Sequence, residues 1–266
     1  MKNFTDKKAG VADKNIGNAK KKAGVAGKKI DNAKKKAGVA DKNIGDVGDD
    51  IIGLAERRGF AGRLVIRLRE VFPFAGCSLC FRSPFELLAA TILSAQCTDV
   101  QVNKVTRVLF EECSEPADFV GMSLERLEGL IRSTGFYRNK AKNIKAASAE
   151  IMERFGGEVP KTMGELISLS GVGRKTANVV LSNGYGINAG VVVDTHVFRL
   201  SHLLGLSVGK DPERVESDLM LIFCQSDWCF LSHALIQLGR TSCKSRKPNC
   251  KTCPVNSLCP QQEHVK

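Results

Sequence analysis

From about residue 50 onward, apolar residues recur at helical spacing and predict a chain built from helices. Pro84 followed by FELLAATILS is typical of a helix that begins with proline in its first turn. The next helix takes Thr98 or Asp99 as its cap, and its predicted apolar face consists of Val102, Val105, Val108 and Leu109. The pattern therefore favours helix over strand from the start of this region.

The same pattern continues to the C-terminal part. Ser123 is a candidate cap for LERLEGLIR, and a helix over about 139–155 ends at a glycine pair. Asp211-Pro212 starts another helix, whose buried face is predicted to consist of Val215, Leu219, Ile222 and Phe223. The one strand-like run, 190–193, is too short to build a sheet. We predict an all-α fold.

The first 48 residues follow a different pattern. KKAGVADKNIGNAK recurs as KKAGVAGKKIDNAK and again in part, with a period of 14 residues. Two heptads would suit a coiled coil, but each unit holds glycine in its interior, which costs a helix about 1 kcal/mol relative to alanine. We predict a disordered or conditionally helical basic tail over 1–48, either a nucleic-acid tether or a solvated extension.

Charge is concentrated in this tail. The chain has a net charge of +12, and residues 7–48 contribute twelve Lys against four Asp. A basic excess suggests a polyanionic partner without separating DNA from RNA or anionic lipid. No run approaches the roughly 18 apolar residues of a membrane span, and no signal-peptide pattern opens the chain. We expect a cytoplasmic protein without a membrane partner.

The most informative segment is LISLSGVGRKTANVVLS, residues 166–182. An apolar helix is predicted to end at Ser170, and Gly171-Val172-Gly173 forms a turn too tight for other side chains. The second helix begins at once with Arg174 and Lys175, and its first N–H groups are free to bind an anion. This layout is typical of a helix-hairpin-helix that clamps a DNA phosphate, although Gly-Val-Gly taken alone is better explained as a plain turn between helices.

Lys175 lies in the first turn of that second helix. The helix dipole and the neighbouring Arg174 disfavour the charged form of the amine, as nucleophilic lysines require. Asp194 follows a short apolar run and precedes another helix. It is either an N-cap or a carboxylate directed into a cleft beside Lys175.

Four of the ten cysteines crowd into 17 residues near the C-terminus, at Cys243, Cys250, Cys253 and Cys259. Without a secretion signal, such a cluster indicates metal ligation rather than disulfides. Zinc modules usually present two close pairs, whereas this segment has one. The spacing fits a cubane iron–sulfur centre at least as well.

The segments LLAATILSAQCTDVQVNKV, LSGVGRKTANVVL and VDTHVFRL, with the cysteine cluster, together resemble the bacterial endonuclease III family of helix-hairpin-helix/Gly-Pro-Asp DNA glycosylases. The resemblance covers about residues 56–260. It implies a DNA glycosylase that removes oxidised pyrimidines and then nicks the strand as an abasic-site lyase. The implied partner is double-stranded DNA with damaged bases or abasic sites, bound by a monomer that associates with the bacterial nucleoid.

The resemblance also implies roles for individual residues. Lys175 attacks C1′ of the damaged nucleotide and forms an imine, and Asp194 stabilises charge on the sugar. Gln96 fills the space that the extruded nucleotide leaves, and the turn at Phe136, where the family commonly has an aliphatic residue, is a second wedge. The four cysteines bind a [4Fe–4S] cluster. The residues expected to contact DNA phosphates are Gly171, Gly173, Arg174, Lys244, Arg246 and Lys247.

We further expect two helical domains with a DNA-binding cleft between them. Residues 77–187 form the domain that contains the hairpin, and 49–76 join 188–262 in a second domain with the iron–sulfur loop, followed by a short tail at 263–266. Core packing is the alternative role for Phe136, and a loop cap is the alternative for Gln96.

Two other functions share parts of this pattern. An adenine-mismatch glycosylase of the same superfamily shares the hairpin, the Asp and the cysteines. That family lacks the hairpin Lys, uses a catalytic Glu near Gln96 and carries a further C-terminal domain, whereas this chain has Lys175 and no Glu between Glu86 and Glu111. A non-catalytic nucleic-acid-binding protein is the alternative from another class, and Lys175 with Asp194 argues against it.

Overall fold

The computed structural model describes residues 44–261, with side chains from residue 53 onward. The predicted tail lies outside the described residues up to position 43, and residues 262–266 do as well. The first described helix, α1, begins at Ile44 and therefore includes the last five positions of the predicted tail.

The described chain consists of helices, turns and loops, and it contains no strand between residues 44 and 261, so the predicted all-α class is confirmed. The α-helices are α1 Ile44–Val71, α2 Pro84–Ser94, α3 Asp99–Glu112, α4 Pro116–Gly121, α5 Leu124–Ile131, α6 Tyr137–Phe155, α7 Met163–Ile167, α8 Arg174–Val179, α9 Thr195–Leu203, α10 Pro212–Ile222 and α11 Trp228–Thr241. Short 3₁₀ segments lie at Arg132–Thr134, Gln225–Asp227, Cys250–Thr252 and Asn256–Leu258, and one π-helical turn, Val180–Gly184, follows α8.

The caps form where the sequence places hydroxyl and carboxylate side chains. Ser83, Thr98 and Ser123 each accept a hydrogen bond from the backbone N–H three residues on, at 3.2, 3.3 and 3.2 Å. These bonds satisfy N–H groups that a helix leaves free in its first turn. Two helix starts predicted from caps, at Thr98 and Ser123, and one predicted from Pro84 are therefore confirmed.

Two details of the helix prediction are wrong. Val108 is 46% exposed, so the buried face of α3 consists of Val102, Val105, Thr106, Leu109 and Phe110 instead. The helix that was expected to end at Ser170 ends at Ile167.

Apolar side chains form two clusters within the unit that begins at Leu54. One cluster draws on α2 to α8 and includes the edge-to-face pair of Phe85 and Phe119, with ring centroids 5.3 Å apart. The other draws on α1 and on residues 191–255. The division of the chain into two domains stays a prediction.

None of the helices between residues 44 and 261 combines the length and the apolar character that crossing a membrane requires.

Candidate active site

The turn between α7 and α8 contains two glycines, and only one of the two positions requires glycine. Gly171 has φ +76°, and a Cβ there would lie 2.7 Å from Cβ of Asn143. Gly173 is the N-cap of α8 with φ −94°, and a Cβ there would meet nothing within 4 Å. The expectation that the turn is too tight for any other side chain is therefore right for Gly171 and wrong for Gly173.

Ser170 is anchored to α6. Its backbone N–H donates to Oε2 of Glu150 at 2.8 Å, and its hydroxyl donates to Oε1 of the same carboxylate at 2.7 Å. The two bonds fix the segment that enters the hairpin.

Lys175 lies in the first turn of α8, and its side chain is exposed. Its amine forms no hydrogen bond or ion pair within residues 53–261 and can therefore reach a ligand that approaches the hairpin.

Arg174 does not stand beside Lys175 as a free cation. Its guanidinium donates to Oε2 of Glu216 at 2.6 Å from Nε and to Oε1 at 3.1 Å from Nη2. Hydrogen bonding to this carboxylate raises the pKa of Arg174. Arg174 therefore precedes Lys175 as the cationic member of an ion pair with the buried Glu216 carboxylate.

Glu216 is a buried carboxylate that the sequence did not single out. It also accepts a hydrogen bond from Nδ2 of the buried Asn178, at 2.8 Å. A Cβ at Gly190 would lie 2.0 Å from Oε1 of Glu216. Only glycine at position 190 leaves room for the Glu216 carboxylate. This carboxylate, on α10, is thereby able to bind Arg174 and Asn178 on α8.

Asp194 is the N-cap of α9 and is half-buried. Its Oδ1 accepts hydrogen bonds from the N–H groups of His196 and Val197, at 2.9 and 2.8 Å. Its Oδ2 accepts none from the described part of the chain, and Asp194 and Lys175 do not form an ion pair there. The two predicted roles of Asp194 are thus compatible, since one oxygen caps the helix and the other is free.

His196 packs against α11. A Cβ at Gly239 would lie 2.7 Å from Nδ1 of His196, so the ring lies directly over the helix backbone. Since His196 follows Asp194 by two residues, this contact holds the start of α9 in place. Gly239, in the interior of an apolar helix, gave no signal of this role in the sequence.

Gln96 and Phe136 share an unusual backbone conformation. Both have positive φ, 53° and 49°, in the left-handed region that residues other than glycine rarely adopt. Both side chains are exposed, Phe136 to 66%. Core packing of Phe136 is therefore ruled out, and Gln96 forms no capping hydrogen bond with the described residues.

The four clustered cysteines line one cavity of about 340 Å³. Burial raises the pKa of the Cys253 and Cys259 thiols, and repulsion from the neighbouring cysteines raises it further. Four thiolates at this position therefore need a cationic partner. Thiolate ligands suit both zinc and iron–sulfur clusters, so this set of four sulfur donors fits a metal centre.

Arg199 borders the same cavity. Its guanidinium donates to the backbone carbonyl of Cys243 and to the Cys243 sulfur, the latter at 3.6 Å. Arg199 was not among the residues predicted for the site, although it lies in VDTHVFRL, five residues after Asp194.

Lys244, Arg246 and Lys247 follow Cys243, and all three side chains are exposed. Lys247 has φ 57°, so the chain turns sharply there. The loop presents three positive charges to solvent between two cysteines of the cavity.

Comparison with protein families shows a match to a family model, the HhH-GPD superfamily of base excision DNA repair proteins, over residues 89–224. Endonuclease III of Synechocystis sp. is 49% identical over 210 residues, which is 79% of this chain and 96% of that protein. Endonuclease III of Bacillus subtilis is 48% identical over 194 residues, which is 73% of this chain and 88% of that protein.

Solved structures give the same result. A trapped endonuclease III–DNA covalent intermediate, in an estranged-adenine complex, superposes with a TM-score of 0.74 at 44% identity, covering 79% of this chain and 99% of that one. A non-covalent endonuclease III–DNA complex gives a TM-score of 0.73 at 45% identity, covering 78% and 97%. A thermostable thymine-DNA glycosylase, at 20% identity and a TM-score of 0.66, shares the fold.

Proposed function

The chain belongs to the HhH-GPD superfamily of base excision DNA repair proteins, within its endonuclease III group, and we propose that it is a DNA glycosylase with abasic-site lyase activity that acts on oxidised pyrimidines. The observation that carries this proposal is an exposed lysine, Lys175, in the first turn of the helix that follows a glycine hairpin. The similarity to a trapped covalent complex with DNA supports the same chemistry.

In the proposed reaction the neutral amine of Lys175 attacks C1′ of the damaged nucleotide. The glycosidic bond breaks, and its electron pair leaves with the base. Loss of a proton from the nitrogen and opening of the sugar ring give an imine between Lys175 and C1′. Removal of a C2′ proton then expels the 3′ phosphate, and hydrolysis of the imine releases the nicked strand.

Asp194 is the proposed electrostatic partner of this step. Its Oδ1 is held by two backbone N–H groups, so the carboxylate has a fixed orientation. The free Oδ2 can stabilise positive charge on the sugar or take up a proton from the attacking amine. With Arg174 paired to Glu216, Asp194 is the stronger candidate for receiving the Lys175 proton.

Contacts with the duplex are proposed for two groups of residues. Lys244, Arg246 and Lys247 bind phosphates, together with the backbone N–H groups of the hairpin at Gly171 and Gly173. Gln96 and Phe136 project into the duplex, where Gln96 occupies the space vacated by the extruded nucleotide. The exposure of both side chains and the left-handed backbone at both positions support this role.

We propose that Cys243, Cys250, Cys253 and Cys259 hold a [4Fe–4S] cluster. When bound, such a cluster supplies four metal–thiolate bonds that tie the C-terminal segment together. Arg199 holds the first of these cysteines by its carbonyl and sulfur. The proposed reaction includes no oxidation or reduction, so we assign the cluster a structural role: it holds the basic loop in place.

Borohydride reduction during incubation with an oxidised-pyrimidine duplex tests the proposal. The parent protein and Lys210→Ala, which removes another exposed lysine, should form a covalent protein–DNA adduct, and Lys175→Ala should form none. An adenine-mismatch duplex should give no base release. DNA binding without an adduct in the parent protein would instead indicate a non-catalytic binding protein.

A protein that repairs chromosomal DNA in a bacterium acts in the cytoplasm at the nucleoid, and we propose this location, with a monomer as the active form.

A further inference from the structure

Lys140, on α6, buries its amine between two turns of the backbone. The residue is 4% exposed. Its Nζ donates to the carbonyl oxygen of Leu93 at 2.8 Å and to that of Thr134 at 2.8 Å. Among the described residues no carboxylate pairs with this amine.

This arrangement is a costly way to fill a core. A buried cation without a counter-ion loses its hydration, and this burial lowers the pKa of Lys140. An apolar side chain of similar length would fill the same space without that cost. The benefit of the amine must therefore lie in the two carbonyl groups that it holds.

Each of these carbonyls lies two or three residues before one of the two residues proposed to enter DNA. Leu93 is three residues before Gln96, and Thr134 is two residues before Phe136. The backbone N–H of Lys140 also donates to the carbonyl of Phe136, at 3.2 Å. One residue thus contacts the main chain on the approach to both turns.

The two turns need such support. Gln96 and Phe136 both have left-handed backbone conformations, which residues other than glycine keep only where their surroundings hold them. Both also border a single cavity of about 270 Å³, whose further walls include Asn139, Asn143 and Gly171 of the hairpin. A change in the distance between the turns would change the shape of this cavity and the direction of both side chains.

We propose that Lys140 is a positioning residue for nucleotide extrusion, which fixes the Gln96 turn and the Phe136 turn at the spacing that lets both side chains enter the duplex together. The proposal rests on the proposed glycosylase function. It assigns Lys140 no contact with DNA, and its effect on the reaction is transmitted through the two turns.

The test compares two DNA substrates with the full-length protein. One is a duplex with a single oxidised pyrimidine, for which base release is measured. The other is a duplex in which an abasic site faces a one-nucleotide gap, so that no base has to be extruded and no opposite base has to be held. Borohydride adduct formation is measured on the second substrate.

Lys145→Met is the matched control. Lys145 lies on the same helix, and its Nζ donates to the carbonyls of Phe119, Val120 and Met122 at 3.1, 2.6 and 2.6 Å. Its loss removes the same kind of contact at a place remote in sequence from both turns. Thermal unfolding of each variant measures the general loss of stability.

Lys140→Met should lower base release from the first duplex by about 10- to 100-fold, as displacement of a positioning group by about 1 Å can do. Adduct formation on the gapped substrate should stay within about twofold of the parent value. Lys145→Met should match the parent on both substrates. If Lys140→Met does not fold, Lys140→Arg serves in its place, since it keeps a cation but changes the spacing of the two carbonyls.

A double variant adds a readout that a purely structural role would not change. Adding Lys140→Met to Gln96→Ala should reduce base release by a smaller factor than Lys140→Met does alone, because both changes act on the same turn. The proposal would be overturned if the losses in the double variant were multiplicative, as for independent changes. It would also be overturned if Lys140→Met lost equal activity on both substrates, or if it released bases at the parental rate. A parent protein that forms no adduct on either substrate would overturn the glycosylase function itself.

Discussion

Arg174 and Glu216 form a two-point ion pair, with Nε donating to Oε2 at 2.6 Å and Nη2 to Oε1 at 3.1 Å. Arg174 immediately precedes Lys175, whereas Glu216 lies on α10, whose buried apolar residues belong to the second hydrophobic cluster. The pair therefore connects the helix that carries the nucleophile to a part of the core that is distant in sequence. It also leaves Arg174 with little capacity to act on Lys175 as an unpaired cation.

Glu216→Ala should destabilise the protein by about 1–3 kcal/mol, because the buried Nδ2 of Asn178 loses its hydrogen-bond acceptor. Arg174 contributes less to this loss, since its side chain is 45% exposed and water can replace the carboxylate. Urea unfolding measures the difference. Glu213→Ala, which removes an exposed carboxylate from the same helix, should change the free energy of unfolding by no more than about 0.5 kcal/mol. Equal effects of the two variants would contradict the structural role of Glu216.

The two hairpin glycines should respond differently to alanine. Gly171→Ala should lower stability by about 1–2 kcal/mol from its positive φ, with a further loss from contact with Asn143. Gly173→Ala should leave the melting temperature unchanged, because its Cβ meets no protein atom, yet it should weaken binding to an abasic-site duplex at the hairpin. Thermal unfolding and a DNA titration separate the two effects. A destabilised Gly173→Ala, or one that binds DNA with parental affinity, would contradict this assignment.

His233 should make the protein less stable in mild acid. Burial lowers the pKa of His233 below its ordinary value of 6.5, and Arg240 lowers it further, against opposing effects of Asp194 and Asp99. The unfolded chain therefore binds a proton near pH 6.5 that the folded protein does not, and stability falls as the pH drops below 6.5 towards the folded pKa. Urea unfolding from pH 7 to pH 5 measures this slope. His233→Gln should flatten it, and an unchanged slope would show that other groups cause the loss.

Cys250→Ser should reduce both the bound iron and the visible absorbance of the purified protein, because it removes one of four proposed ligands. Its melting temperature should fall as the C-terminal segment loses its attachment. Cys224→Ser is the control, because Cys224 is an exposed cysteine outside the cavity. Full iron content in Cys250→Ser would contradict the ligand assignment, and so would iron loss in Cys224→Ser.

Much of the local structure could be predicted from the sequence, because it depends on interactions between residues that are close in sequence. Ser123, Thr98 and Pro84 mark helix starts through bonds and φ restrictions that involve only a few neighbouring residues. Gly171 was also predictable, since the turn itself requires its positive φ. The exposure of Val108 could not be predicted, because helical spacing shows which residues share a face but not which of them another helix covers.

The tertiary relationships in the candidate site were largely hidden from the sequence. Glu216 lies 42 residues from Arg174, and no spacing rule links the two. Lys140 resembled an ordinary surface lysine on a polar helix, and only the fold shows that it contacts the carbonyls before Gln96 and Phe136. Gly239 and Gly190 matter for side chains that pack on them from other helices. Such contacts depend on how the helices are arranged, which local patterns do not encode.

The most direct test of the central claim is to locate the covalent bond. After borohydride reduction with an abasic-site duplex, nuclease and protease digestion followed by mass spectrometry identifies the lysine that carries the reduced sugar fragment. We predict that this residue is Lys175, in the peptide that follows Arg174. A fragment on any other amine, including the lysines of the N-terminal repeats or the terminal amine, with Lys175 unmodified, would contradict it.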